Sequence, residues 1–133
     1  MNENCEELER DSILQIVLDY LIINNFNSIR ADIYGYNCPS KIFWTESSKG
    51  YTPDISCIKD KKKHIFRIET VYSLHNEANE KIWKLFAANA KDFDKEFHLI
   101  IPNNTFHSVK KRLIEKNINA EVEEINKFCK ILI

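Results

Sequence analysis

Two carboxylates and the basic residue between them offer most of the chemistry in this sequence. Pro53-Asp54 opens one alternating run, and Glu69 stands in the next, within Phe66-Arg67-Ile68-Glu69-Thr70. If Lys61 and Lys62 form the turn joining the runs, Asp54 faces Glu69 across a hairpin. Opposed carboxylates repel one another unless a cation lies between them, and their hard oxygens suit Mg²⁺. A turn at Asp60-Lys61 instead puts Arg67 opposite Asp54, an ordinary cross-strand ion pair worth about 0.2 to 1 kcal/mol. The sequence leaves both registers open.

Other reactive side chains point to less. Cys5, Cys38, Cys57 and Cys129 form no C-x-x-C pair, which argues against structural zinc and for reduced thiols acting as small hydrophobes. His64, His75, His98 and His107 are scattered, and His98 lies in an apolar run, where a hydrogen-bonded packing role is expected. With only Gly35 and Gly50, neither a Walker loop nor a dinucleotide fingerprint can form.

The elements that must hold these residues follow from periodicity. Ile13, Ile16, Val17, Tyr20 and Leu21 predict an amphipathic helix over about 4–25, capped by Asn4 and Glu7. Ile29, Ala31 and Ile33 alternate as in a strand ending at Gly35, and residues 37–52 read as a long polar loop pinned by Trp44. Strands over 54–58 and 64–72 flank a charged turn whose lysines solvate a hairpin tip. A second helix begins at Ser73 or Asn76 with Ala78, Ile82, Leu85, Phe86, Asn89 and Phe93 on one stripe. Phe97 to Ile101 is a central strand ended by Pro102. Asn104 or Thr105 then caps a third helix with Phe106, Val109 and Leu113 inward, and Ala120 to Ile125 forms a last strand. The order helix, three strands, helix, strand, helix, strand predicts an α/β sandwich of three layers around a mixed sheet.

The chain has 133 residues, enough for one core, so residues 1–133 read as a single domain. Its net charge of -1 argues against indiscriminate nucleic-acid binding while allowing a local basic patch. The longest apolar runs are too short to span a bilayer, and the acidic start lacks an export signal's chemistry, so a cytoplasmic protein without a membrane partner is expected. Phe128, Ile131, Leu132 and Ile133 need cover from the core or from a second subunit.

The ordered set Arg30-Ala31-Asp32-Ile33-Tyr34-Gly35-Tyr36, Pro39, Lys41-Ile42, Pro53-Asp54-Ile55, Ile68-Glu69-Thr70, Ser73-Leu74, Trp83 and Phe86 resembles small prokaryotic proteins of the PD-(D/E)XK nuclease superfamily. The resemblance covers most of the chain and implies the restriction-endonuclease-like, Holliday-junction-resolvase-like fold. In that superfamily the two acids hold Mg²⁺ and the lysine orients water and stabilises charge during phosphodiester hydrolysis.

Here the motif departs from its pattern in either alignment. If Glu69 takes the D/E place, Val71 stands where the lysine belongs. If Glu69 takes the lysine place, Arg67 replaces the metal-binding acid. Glu6, Glu7 or Glu9 on the first helix, and Lys81 or Lys84 on the second, are the residues that would restore the missing groups. The resemblance thus implies Asp54, Glu69, Arg67 and Lys84 as the catalytic set and Asp54, Glu69 and Glu9 as the Mg²⁺ ligands. Losing one electrostatic stabiliser costs about 100- to 1,000-fold in rate, so the leading expectation is a degenerate site that binds DNA or RNA without efficient cleavage. An active Mg²⁺-dependent nuclease with migrated acid and lysine is the alternative, and a module dimerising through its apolar C-terminal tail is the third.

Overall fold

The computed structural model describes residues 3–129, with side chains described from residue 9 onward. In chain order the elements are α1 (Glu3–Ile23), β1 (Asn27–Ala31), β2 (Ile42–Phe43), β3 (Gly50–Tyr51), β4 (Ile55–Lys59) and β5 (Lys62–Ile68). There follow α2 (Asn79–Asp92), β6 (Lys95–Ile101), α3 (Phe106–Glu115), β7 (Glu121–Glu124) and α4 (Asn126–Cys129). The main sheet runs β1-β4-β5-β6-β7. Its first three strands are antiparallel, whereas β5, β6 and β7 are mutually parallel. The molecule is therefore α/β with a mixed five-stranded sheet.

Each face of the sheet carries its own core. Ile13, Leu14, Val17, Leu18 and Leu21 of α1 close over Ile55, Cys57, Phe66, Ile68 and Ile100. On the opposite face Ile82, Trp83, Leu85 and Phe86 of α2, with Val109 and Leu113 of α3, cover Ile65, Phe97, Leu99 and Ile101. Alternation along β5 and β6 sends successive residues to opposite faces, so these strands are apolar on both. Each fully buried aliphatic side chain contributes about 1.5–3 kcal/mol.

Local chemistry explains several boundaries. Asn25, at φ 66°, ends α1 in the left-handed conformation, with Phe26 N–H on Leu21 O and Asn25 N–H on Ile22 O. Asn117, at φ 58°, closes α3 by the same pair of bonds from Ile118 and itself. The turn after β4 uses Asp60 and Lys61, both with positive φ, the geometry that suits a two-residue hairpin. Hence Lys59 faces Lys62 and Ile55 faces Phe66. This is the Asp60-Lys61 register, and the turn at Lys61-Lys62 does not form.

Other expectations need correction. The polar loop contains the β2–β3 hairpin, with Trp44 edge-on to Tyr51 and packed on the α2-side core. β5 stops at Ile68 and α2 starts only at Asn79, because Thr70 and Ser73 exchange side-chain bonds with each other's N–H groups and hold the chain in turns. Ile33 and Gly35 lie in turns beyond β1, with Gly35 at φ 96°. Phe93 and Phe106 are exposed, since one lies past the end of α2 and the other at the first position of α3. Leu14 and Leu18 outrank Ile16 and Tyr20 in burial because α1 presents the adjacent stripe to the sheet. Phe128 is buried against its own chain, edge-on to Tyr20 at 4.9 Å, so it is not an exposed dimer contact; Ile131, Leu132 and Ile133 lie outside the described residues.

Candidate functional site

The end of β5, the start of β4 and side chains from α1 and α2, which cover opposite faces of the sheet, bring Arg10, Asp54, Arg67 and Glu69 into one partly buried charged cluster. Asp54 is 5% exposed and Glu69 is fully buried. Asp54 stands just before β4, where its N–H bonds Phe66 O and its Oδ2 accepts Ile68 N–H at 2.6 Å. Its Oδ1 accepts both Arg10 Nε and Nη2, at 2.9 and 2.6 Å. The guanidinium also donates to Asp32 and Asp11. Burial opposes the Arg10 charge, but attraction to Asp54 and then Asp32 and Asp11 leaves its pKa raised.

Glu69 is held still more completely. Arg67 Nε and Trp83 Nε1 both donate to Oε2 at 2.9 Å. Ser73 Oγ and Asn79 Nδ2 donate to Oε1, at 2.5 and 3.2 Å. Arg67 reaches Asn79 Oδ1 as well. Burial works against this second guanidinium too, and Glu69 followed by Asp54 more than offsets it, so its pKa is raised. Arg112 lies over the Trp83 ring at 4.7 Å and donates to Leu74 O, which props the tryptophan from behind.

The structure relates the sequence-derived site residues differently from either hairpin reading. Arg67 follows the β5 residue that pairs with Ile55, yet the expected Asp54–Arg67 bond is replaced by Arg10–Asp54 and Arg67–Glu69 pairs. Arg67 on β5 and Glu69, one residue past its end, meet directly. Glu9 lies close by, its Oε1 accepting Val71 N–H at 3.4 Å. The Glu6 and Glu7 side chains lie outside those described. Lys84 does not join the cluster: it is exposed and borders a groove with Ala88 and Phe93, and Lys81 is likewise exposed. Asn79 and Trp83 occupy the inner face of α2 instead.

This donor set does not fit magnesium. Every Glu69 oxygen already accepts two hydrogen bonds, Asp54 is neutralised by Arg10, and the side chain two residues before Glu69 is a cation. Mg²⁺ needs open oxygen ligands in near-octahedral array, with room for several waters. A guanidinium beside each acid supplies the positive charge by another means.

Along the same sheet face, from Pro53 toward the far end of β5, runs an open cleft of about 430 Å³ between the main sheet and the β2 segment. Arg30, Lys41, Lys63 and Lys95 border it, interspersed with Ser28, Ser40 and Ser56, and no Asp or Glu lines it among the described residues. Burial, with the like charge of Lys63 second, lowers the Lys95 pKa; its Nζ donates to Asn89 Oδ1 at 2.7 Å. Phe43 provides an exposed aromatic at the margin. Of the hairpin lysines, Lys62 pairs with Asp94, Lys59 sits over Phe26, and Lys63 faces the cleft.

Sequence reasoning missed Arg10, although a signal existed: it precedes Ile13, Leu14 and Val17 by three, four and seven positions, which puts a cation on the buried stripe. It also missed the convergence of His64 with His98, which depends on strand register. Cys57 is inert by environment, with burial pushing its thiol up to about 12. No helix among the described residues is long and apolar enough to cross a membrane. No family model, curated protein or solved structure matches this chain.

Proposed function

We propose that this protein is a restriction-endonuclease-like module that binds a nucleic-acid backbone without cutting it. The observation that carries the reading is the division of charge on one sheet face: a cleft bordered by Arg30, Lys41, Lys63 and Lys95, beside two carboxylates already neutralised by Arg10 and Arg67. Phosphodiesters are attracted to clustered Lys and Arg, and serines and an exposed aromatic are suited to sugar, phosphate and base contacts. With a near-zero net charge, such attraction has to come from a local patch and not from the molecule as a whole. With hydrogen-bonded guanidinium partners on Asp54 and Glu69, the means of activating water with Mg²⁺ is missing, which favours retention over hydrolysis.

The experiment is fluorescence anisotropy with single- and double-stranded DNA and RNA over a salt series, paired with a cleavage assay in Mg²⁺ and Mn²⁺. Four phosphate contacts give a slope of roughly -3 in log affinity against log salt, and Lys41→Glu with Lys63→Glu removes most binding. Absence of salt-dependent binding refutes the reading. Metal-dependent cleavage that Asp54→Ala abolishes replaces it with an active nuclease.

A further inference from the structure

On the other face of the sheet, β5 and β6 run parallel with His64 beside Glu96 and Phe66 beside His98, which turns all three polar side chains toward α1. His64 Nδ1 lies 2.9 Å from His98 Nε2. Glu96 Oε1 lies 3.7 Å from His98 Nε2 and 4.0 Å from His64 Nδ1. Three atoms with these separations share a centre about 2.1 Å from each, the bond length of zinc to imidazole nitrogen and carboxylate oxygen. We infer that His64, Glu96 and His98 form a binding site for Zn²⁺ or a similar late first-row divalent ion.

Three features beyond proximity support this assignment. First, His98 Nδ1 lies 3.1 Å from Glu123 Oε1, and Lys127 pairs with the other oxygen of that carboxylate. A carboxylate accepting the Nδ1 proton leaves Nε2 unprotonated and able to ligate, the usual support of a metal-bound histidine. Second, the rings are fixed before any metal arrives. His98 stacks on Phe66 with centroids 4.3 Å apart, and Phe26, delivered by the end of α1, meets His64 edge-on at 5.3 Å. Third, the two imidazoles are about nine-tenths buried while the Glu96 side chain is 45% exposed, so the site has a rigid nitrogen pair and a solvent-facing third ligand.

Without metal, His64 Nδ1–H donates to His98 Nε2; the ion takes the place of that proton, which moves to His64 Nε2 through solvent. Two nitrogens and one carboxylate select zinc, nickel or cobalt over Mg²⁺, and three protein ligands leave a position for water. The three ligands turn to the α1 side of the sheet, although His64 also borders the cleft on the other side, and none belongs to the Asp54–Glu69 cluster; the assignment stands whether or not the nucleic-acid reading does.

The test is calorimetric titration of the full chain with Zn²⁺, Ni²⁺ and Mg²⁺, together with the visible spectrum of its Co²⁺ complex. One Zn²⁺ or Ni²⁺ per chain is expected, with no Mg²⁺ response. Glu96→Gln weakens affinity at least tenfold, His98→Asn abolishes binding, and Glu123→Gln costs about 10- to 100-fold. Because Glu96 is partly exposed, its variant keeps the metal-free melting temperature, so lost affinity is not lost folding. The site is refuted if the unaltered protein binds no Zn²⁺ or Ni²⁺, if Glu96→Gln binds undiminished, or if the Co²⁺ complex shows thiolate charge-transfer bands.

Discussion

Replacing Arg67 with Met tests whether the guanidinium is what makes a fully buried Glu69 tolerable. The substitution keeps an unbranched chain against α2 but removes the donor 2.9 Å from Glu69 Oε2. Trp83, Ser73 and Asn79 still donate to the carboxylate, so hydrogen bonding is only partly lost while the compensating charge is lost entirely. Breaking a buried pair from one side costs about 3–5 kcal/mol, and the three surviving donors place this case near the lower end, about 3 kcal/mol. For a chain of this size each kcal/mol lowers Tm by about 4 °C, giving a loss of roughly 12 °C. Urea denaturation of the unaltered protein, Arg67→Met, Glu69→Gln and the double variant closes a thermodynamic cycle. Removing the orphaned charge makes the double variant more stable than additivity predicts by at least about 1 kcal/mol. A loss below about 1 kcal/mol for Arg67→Met, or an additive cycle, would refute the claim that the guanidinium replaces a metal's charge here.

Four further outcomes follow from particular local environments. Phe128→Ala opens a cavity beside Tyr20 and costs about 3 kcal/mol in denaturant while the sedimentation coefficient stays unchanged, because the ring is buried within its own chain. Gly50→Ala would put a Cβ 2.1 Å from Ile42 O; backbone must move, the β2–β3 hairpin loosens, and about 1–3 kcal/mol is lost, with Trp44 fluorescence shifting toward that of a wetter indole. Native iodoacetamide at pH 8 labels exposed Cys38 and spares Cys57, as read by peptide mass mapping. With its thiol raised to about 12, Cys57 in the fold binds a proton that the unfolded chain releases near pH 8.5. Its contribution is therefore complete below that pH and fades as pH rises toward 12, a trend that Cys57→Ala removes.

The α/β character was legible because apolar spacing reports which face an element buries. Ile13, Val17 and Leu21 marked α1, and the unbroken run before Pro102 marked a strand covered on both sides. Asp54 and Glu69 were singled out by the Pro53-Asp54 and Ile68-Glu69-Thr70 pattern and by a hairpin register that would oppose them; both are buried, but that register does not form. Their partners were not legible in the same way. A two-residue turn can be built on Asp60-Lys61 or on Lys61-Lys62 with nearly the same local residues, and only the left-handed backbone at Asp60 and Lys61 selects the observed register. Arg10 reaches Asp54 from a distant helix, and β5 meets β6 through a crossover that brings His64 to His98. Sequence by itself determined the main helices and the strands of the large sheet, through periodicities of 3.6 and 2 that act within one segment, but neither the β2–β3 hairpin nor the turns between β5 and α2. Tertiary structure alone decided which charges neutralise one another and which histidines converge, because those contacts depend on register and layer packing between segments far apart in the chain.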